Sequence, residues 1–190
     1  KKTKNLLEVK DFYKKRVMLI NSKKKIFTDK NLFNFLYCPI IYNLFPNAKI
    51  IHCTRNPLDN ILSIYRANFT KHYEFCSSLR DCTKIYLDQE QIMSNYKNRF
   101  RSKIYDLNYD SLVSNPNKEI KSLISWLDWK WEDSYLSPHL NKRSVLTASS
   151  VQVRSPINFK SIGGWKNYKD MLQPAIEILT QTERYQNLLL

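Results

Sequence analysis

The spacing of apolar positions along this chain predicts helices alternating with three short strands. Apolar side chains at helical spacing predict an amphipathic first helix over 6–17, with lysines on its far side. A short strand is expected at 25–28, followed by an aromatic-rich helix that Pro39 interrupts or restarts and that runs to about Phe45. The apolar, β-branched run 49–54 predicts a strand that is buried on both faces.

The second half of the chain continues the same alternation. In order, its patterns predict a helix begun by Pro57, a long helix over 73–100, a strand over 103–109, a helix over 115–127, an extended polar loop over 137–161 and a closing helix over 168–179. Strands that alternate with helices indicate an α/β fold, in which a parallel sheet is flanked by crossover helices. At 190 residues, the chain is expected to form a single domain over 1–190.

The charge balance is strongly basic, with 31 Lys and Arg against 17 Asp and Glu and a formal net charge of +14. Such a charge suits a nucleic-acid binder, an anionic-membrane binder or an enzyme that collects phosphorylated substrates. A composition rich in Lys, Asn, Ile, Tyr and Phe is also typical of AT-rich genomes, so the sign alone does not choose among these classes. No segment approaches about 18 continuous apolar residues, and no membrane span is expected.

The four cysteines, Cys38, Cys53, Cys76 and Cys82, form no CxxC pair and have no histidine cluster at zinc spacing. They are therefore expected to be reduced thiols, and no metal site is predicted. Cys53 falls in the strand expected to be buried. Next to it, His52 is expected to be a buried histidine whose hydrogen bonds are satisfied.

Arg55 follows the 49–54 strand directly and precedes a helix begun by Pro57. An arginine at the carboxyl end of a parallel strand lies where open α/β sheets bind their ligands. Its guanidinium can hold a phosphate with two hydrogen bonds, and Ser63, about two turns along the helix, offers a hydroxyl. This local pattern predicts an anion site, and an ordinary strand and helix with a surface arginine is the alternative.

Four separated blocks together resemble the sulfotransferase family, especially the branch of protein-tyrosine sulfotransferases and bacterial sulfotransferases attached to tetratricopeptide repeats. The blocks are 28–30, 45–65, 109–113 and 147–168. The resemblance implies a P-loop-NTPase-like sulfotransferase fold and 3′-phosphoadenosine 5′-phosphosulfate as the donor, with 3′,5′-adenosine bisphosphate as the product. It implies a hydroxyl or amine acceptor, such as a protein tyrosine, a sugar or a small molecule, and no metal.

The resemblance also implies roles for individual residues. Arg55 and Ser63 match the arginine and serine that bind the 3′-phosphate of the donor, and Tyr109 matches a tyrosine that touches the adenine. Lys30 matches the catalytic lysine that reaches the bridging oxygen between the sulfate and the leaving 5′-phosphate. A mobile ammonium in that place can neutralise charge as it develops.

The last block resembles a loop that folds over the 3′-phosphate end of the donor. The candidate cofactor-binding residues in this block are Arg154, Lys160, Ser161, Gly163 and Gly164. The protein-tyrosine branch has a serine two positions before the tryptophan of this loop. Here Gly163 holds that position, and Ser161 stands four positions before Trp165, so Ser161 and Lys160 are the weaker candidates.

Gly163 and Gly164 are the only glycines in the chain, a marked departure from the family pattern. The family binds the 5′-phosphosulfate on a glycine-bearing loop between its first strand and first helix, and nothing before Lys25 could form that loop. Leu32 replaces the histidine base of cytosolic relatives. The protein-tyrosine branch takes its base from a glutamate, and Glu8 is the only early glutamate that could be proposed. The chain is therefore expected to be the carboxyl-terminal part of a sulfotransferase.

As such a part, it is expected to bind the 3′-phosphate and adenine half of the donor weakly and to have little or no activity. Tetratricopeptide repeats could precede it, in the cytoplasm of a bacterium or the Golgi lumen of a eukaryote. Two other functions stay open. A P-loop kinase-like phosphotransferase would need an upstream Gly-Lys-Ser/Thr loop, and a nucleic-acid-binding module would explain the charge although no recognised binding motif is present.

Overall fold

The computed structural model describes residues 2–20, 26–67, 73–142 and 151–189. Within them the helices and strands are, in chain order, α1 (Lys2–Ile20), α2 (Cys38–Leu44), β1 (Ile50–Thr54), α3 (Pro57–Arg66), α4 (Leu79–Phe100), β2 (Ile104–Asn108), α5 (Tyr109–Ser114), α6 (Pro116–Leu127) and α7 (Gln173–Thr180). Short 3-10 turns connect several of these elements, including Asn34–Tyr37 before α2 and Gly164–Tyr168 before α7.

The two strands pair in parallel, with Ile50 opposite Ile104 and Thr54 opposite Asn108. Parallel strands need a crossover, which α3 and α4 supply here. The carboxyl ends of both strands therefore meet at one edge of the sheet. The architecture confirms the predicted α/β class, a small parallel sheet flanked by helices.

The main core lies where α3, α4 and α7 pack together. Apolar faces at helical spacing bury a contiguous cluster whose members are Leu58, Ile61, Leu62, Cys82, Tyr86, Trp165, Leu172, Ala175, Ile176, Leu179 and Tyr185. Trp165 joins this cluster from the turn before α7. Residues 151–168, called the late loop below, are therefore fixed to the core. A smaller cluster of Cys38, Met93 and Ile104 lies between α2, α4 and β2.

The strand predicted at 25–28 is wrong for the residues that the structure describes. Ile26, Phe27 and Thr28 are exposed and form neither strand nor helix, and residue 25 lies outside the described residues. A strand needs a hydrogen-bonding neighbour, and no described strand pairs with this segment. The apolar pattern of this segment does not reveal whether a neighbouring strand is present to pair with it.

Burial of β1 on both faces is also wrong. His52 is buried, whereas Ile51 and Cys53 on the opposite face are exposed. Successive side chains of a strand point to opposite faces. α4 covers the face that carries His52, whereas α6 packs on the other face against Tyr105 of β2 and leaves Ile51 and Cys53 of β1 exposed. Of the other cysteines, Cys38, Cys76 and Cys82 are buried, and all four are free thiols.

Element boundaries moved where a capping side chain decided them. The long helix begins at Leu79 because the Ser78 hydroxyl accepts a hydrogen bond from the Asp81 N–H at 3.2 Å, and residues 74–77 form a 3-10 turn instead. The strand predicted over 103–109 ends one residue early, at Asn108, and α5 begins at Tyr109. The Asn108 side-chain oxygen accepts a hydrogen bond from the Ser111 N–H at 2.8 Å and so caps α5.

The predicted helices at 6–17 and 115–127 are confirmed by α1 and α6, whereas the closing helix starts later than predicted, at Gln173. The predicted loop at 137–161 contains short turns at Pro138–Leu140 and Gln152–Arg154, and its residues 143–150 lie outside the described residues. Among the described helices, none combines the length and apolarity needed to cross a membrane.

Candidate functional site

The site begins at the junction of β1 and α3. Asn56 caps α3, because its side-chain oxygen accepts hydrogen bonds from the N–H groups of Leu58 at 3.0 Å and Asp59 at 3.1 Å. Pro57 occupies the first turn, where its missing N–H costs nothing. This local sequence sets Arg55 between a strand end and the positive end of a ten-residue helix.

The Arg55 side chain is held on two sides. Its guanidinium carbon lies 4.9 Å from the centre of the Tyr109 ring, and its Nη2 donates a hydrogen bond to the Ser161 carbonyl. Its Nε is buried and has no hydrogen-bond partner among the described residues. No described carboxylate forms an ion pair with it. Arg55 thus keeps positive charge and an unused donor, which suits an anionic ligand.

The end of β2 meets this junction through Asp110. Its Oδ2 accepts a hydrogen bond from the Asn56 N–H at 2.9 Å, joining α5 to the start of α3. Its Oδ1 is buried and lacks a partner among the described residues. The adjacent Tyr109 is half-buried. The sequence assigned no role to Asp110, because its partner is a backbone group 54 positions away.

The late loop is fastened to α3 by Asp59, which is only 3% exposed. Its Oδ2 accepts from the Gly163 N–H at 2.7 Å and its Oδ1 from the Trp165 N–H at 2.9 Å. Gly163 has φ of +69°, a left-handed conformation that favours glycine. The Gly163 N–H has a hydrogen-bond partner within the chain, and a role of this loop in holding the donor stays a prediction.

Ser63 lies on the face of α3 that carries Asp59 and Arg66, both of which contact the late loop. Asp59 is one turn before it and Arg66 about one turn after it, so the three share a face. Arg66 stacks on the Tyr168 ring with its guanidinium carbon 5.5 Å from the ring centre. Ser63 itself is exposed between these two loop contacts.

Three other predicted site residues make no described contact with Arg55. Arg154 donates a hydrogen bond to the Asn141 carbonyl. Lys160 is exposed, and its backbone N–H donates to the Asn158 side chain at 3.2 Å. Lys30 is exposed and makes no hydrogen bond or ion pair within the described part of the chain, so no contact there joins it to Arg55.

A second polar cluster lies beneath β1 and confirms that His52 is buried and hydrogen-bonded. Its Nδ1 is 3.1 Å from Asp106 Oδ1 and its Nε2 is 2.6 Å from Gln89 Nε2. Burial and the nearby Lys97 charge lower the pKa of His52, so the neutral ring donates through Nδ1 and accepts from Gln89.

The carboxylate of this cluster stays charged. Burial raises its pKa, but hydrogen bonds from Arg101, Lys97 and His52 outweigh that effect and hold the pKa of Asp106 at about 2. The hydrogen bonds of this cluster join β1 and β2 to α4. In the described residues no group of three or more His, Cys, Asp or Glu could hold a metal ion.

Comparison with known proteins identifies relatives of this arrangement. The profile described as "Sulfotransferase family" matches residues 6–133, which is more than half of the chain. An uncharacterized protein of Aquifex aeolicus (strain VF5) is 38% identical over 173 residues, covering 90% of this chain and 23% of that protein. Protein-tyrosine sulfotransferase of Drosophila melanogaster is 26% identical over 133 residues, covering 66% of this chain and 27% of that protein.

A solved structure shares the fold. The sulfotransferase domain from the curacin biosynthetic pathway superimposes with a TM-score of 0.64 at 16% identity, covering 91% of this chain and 67% of that one. At this identity the likeness concerns the fold alone. The chain spans about a quarter of the length of the first curated relatives that it matches.

Proposed function

This chain belongs to the sulfotransferase family, and we propose that it forms the 3′-phosphoadenosine half of a sulfuryl-transfer site. The family implies 3′-phosphoadenosine 5′-phosphosulfate as the donor, and 3′,5′-adenosine bisphosphate is then the product that remains. The proposed acceptor is a hydroxyl or an amine. The choice of acceptor would depend on parts of the site other than Arg55 and the late loop.

The observation that carries this proposal is the unused hydrogen-bonding capacity of Arg55. Its buried Nε has no partner among the described residues, and its charge is not paired with a carboxylate there. A 3′-phosphate at this place would satisfy that donor and would also gain from the positive end of α3. The Ser63 hydroxyl on the adjoining face offers a further hydrogen bond to the same phosphate.

The surroundings of Arg55 support the adenosine part of the ligand. Tyr109 lies directly against the guanidinium at the end of β2, and an aromatic side chain in this position can also contact a purine ring. The Ser161 carbonyl orients the guanidinium from the other side. Arg55 is therefore pre-set for its ligand, which lowers the ordering cost of binding.

The chemistry that this chain contributes is positioning and neutralisation of charge. When bound, the donor supplies the sulfuryl group that passes to the acceptor. Arg55 and Ser63 would anchor its 3′-phosphate, and Lys30 is proposed to place its ammonium at the leaving oxygen. Glu8, which is exposed on α1, is the only early glutamate, and we propose it as the base.

The glycine content limits what the chain does alone. With Gly163 and Gly164 as its only glycines, it carries no glycine-bearing loop for the 5′-phosphosulfate. We therefore expect weak binding of 3′,5′-adenosine bisphosphate and little or no sulfuryl transfer from this chain by itself. Of the three functions that the sequence left open, the family match favours this one over a kinase-like phosphotransferase or a nucleic-acid-binding module.

Isothermal titration tests the site with 3′,5′-adenosine bisphosphate and with 5′-AMP, which lacks the 3′-phosphate. Arg55→Ala should weaken the bisphosphate by about 10- to 100-fold, the value of a charge-assisted hydrogen-bonded pair. It should change 5′-AMP binding much less. The bisphosphate affinity of Arg55→Lys should lie between those of wild type and Arg55→Ala, because an ammonium lacks the planar, two-pronged donor geometry of a guanidinium and stacks less well on Tyr109.

Arg99→Ala is the matched control, since Arg99 is an exposed arginine of α4 and its loss changes net charge equally. It should leave both affinities within about two-fold. Equal bisphosphate affinity in wild type and Arg55→Ala would refute the proposed site. Steeply salt-dependent binding to arbitrary DNA that the bisphosphate does not displace would favour the nucleic-acid-binding function instead.

A further inference from the structure

We propose that Asp59 is a positioning residue for nucleotide binding, acting on Arg55 through the late loop. This inference rests on the proposed function of Arg55. Asp59 itself would not touch the ligand, because both of its carboxylate oxygens are occupied by backbone N–H groups and the side chain is buried.

The contacts form a short chain from α3 to the guanidinium. Asp59 holds the N–H groups of Gly163 and Trp165, which lie 104 and 106 positions further along the sequence. Two residues before Gly163, the Ser161 carbonyl accepts the hydrogen bond from Arg55. The backbone between these points is short, so fixing Gly163 also restricts where the Ser161 carbonyl can lie.

A carboxylate is the side chain that this arrangement requires. Two N–H donors converge on Asp59, and only a carboxylate offers an acceptor to each of them. Asparagine has nearly the same shape, but it would accept one N–H and turn its own NH₂ group towards the other. One backbone donor would then be buried without a partner, and the loop would lose one of its two fastenings.

The surrounding contacts show that the fastening matters locally. Gly163 is held at positive φ, and a Cβ added to Gly164 would meet Asp59 Oδ1 at 3.7 Å, so the loop backbone lies closely over this side chain. Trp165 adds a buried ring to the core on the far side of the loop. Asp59 therefore holds the loop backbone at Gly163, close to Ser161, while the Trp165 ring anchors the same loop in the core.

The test compares Asp59→Asn with Asp81→Asn. Asp81 is also an acid in the first turn of a helix, but it is exposed and does not contact the loop. Both substitutions remove one negative charge from the same kind of helix position. Asp59→Asn should weaken 3′,5′-adenosine bisphosphate about 10-fold and speed amide hydrogen exchange in 159–168, whereas Asp81→Asn should leave both within about two-fold.

A double-mutant cycle with Arg55→Ala separates positioning from general loss of structure. If Asp59 acts through Arg55, Asp59→Asn should have little further effect on affinity once Arg55 has been replaced. Additive losses would overturn the inference, as would wild-type affinity in a folded Asp59→Asn variant. If Asp59→Asn does not fold, the same cycle is run with Asp59→Glu, which keeps both acceptor oxygens and should show a smaller, still non-additive loss.

The proposed function fails separately from this inference. If Arg55→Ala alone leaves bisphosphate affinity unchanged, the Arg55 site is refuted whatever Asp59 does. If Arg55→Ala weakens binding and Asp59→Asn does not, the site stands and the positioning role of Asp59 is refuted.

Discussion

Replacing Gly163 by alanine isolates the backbone conformation that the late loop requires. Gly163 has φ of +69°, where a Cβ costs roughly 1 to 2 kcal/mol. The nearest atom that this Cβ would meet is the Lys166 Cε at 4.0 Å, so no steric clash adds to the cost. Alanine also restricts the unfolded chain, which returns about 0.4 to 1 kcal/mol.

The expected net effect is a loss of about 1 kcal/mol in the free energy of unfolding. For a chain of this size that corresponds to a fall of about 3 °C in the melting temperature. Urea denaturation gives the free energy, and the midpoint should move by about 0.5 M for a slope of about 2 kcal/mol/M. Gly163→Asn should cost less than Gly163→Ala, because asparagine tolerates the left-handed region better.

Gly164→Ala is the matched control. Gly164 is not at positive φ, and its added Cβ would meet Asp59 Oδ1 at an ordinary contact distance of 3.7 Å. Its stability should be equal to wild type or slightly higher. Equal losses of stability in the two alanine variants, or wild-type stability in Gly163→Ala, would contradict a conformational cost at Gly163.

Two further predictions concern buried polar groups away from the site. Because the pKa of His52 is lowered in the folded state, the free energy of unfolding should fall as pH drops below about 6.5, where the unfolded state takes up the proton first. In His52→Gln, the free energy of unfolding from urea denaturation should depend less on pH between 7.5 and 5. An unchanged pH dependence in this variant would contradict the prediction. Tyr185→Phe removes the hydroxyl that donates to Glu90 Oε2 at 2.5 Å. The free energy of unfolding should fall by about 1 to 3 kcal/mol, because the Glu90 side chain is only 10% exposed and would lose a buried hydrogen bond. Equal melting temperatures of the variant and wild type would argue against this.

The start of α3 after Arg55 could be predicted because its signals are local: Asn56 and Pro57 act within three positions of themselves. The Asn108 cap is equally local, but the alternating pattern of 103–109 predicted that the strand would continue through Tyr109. The family resemblance gives both Arg55 and Tyr109 a role toward the donor, and the parallel pairing of β1 with β2 explains why the two side chains meet. The profile match confirms the family, whereas the roles of these two residues stay predictions.

Other parts of the site could not be predicted because their partners are remote backbone groups. Asp59 reads as an acid in the first turn of a helix, and nothing near it indicates that it holds Gly163 and Trp165. Asp110 likewise reads as a surface acid, although it holds the Asn56 N–H. Every residue except proline carries the same backbone N–H group, so sequence patterns do not reveal which side chain will accept its hydrogen bond.

The amino-acid sequence is enough to establish the alternation of helices with strands, the arginine that follows β1 and the single turn that holds both glycines. The helix starts at Leu79, Tyr109 and Gln173, and the exposure of Ile51 and Cys53 on one face of β1, are visible only in the folded chain. The hydrogen bonds by which Asp59 fastens the loop beside Arg55 are visible only there as well. Periodicity records which side of an element is apolar, whereas burial and long-range hydrogen bonds depend on what packs against that side.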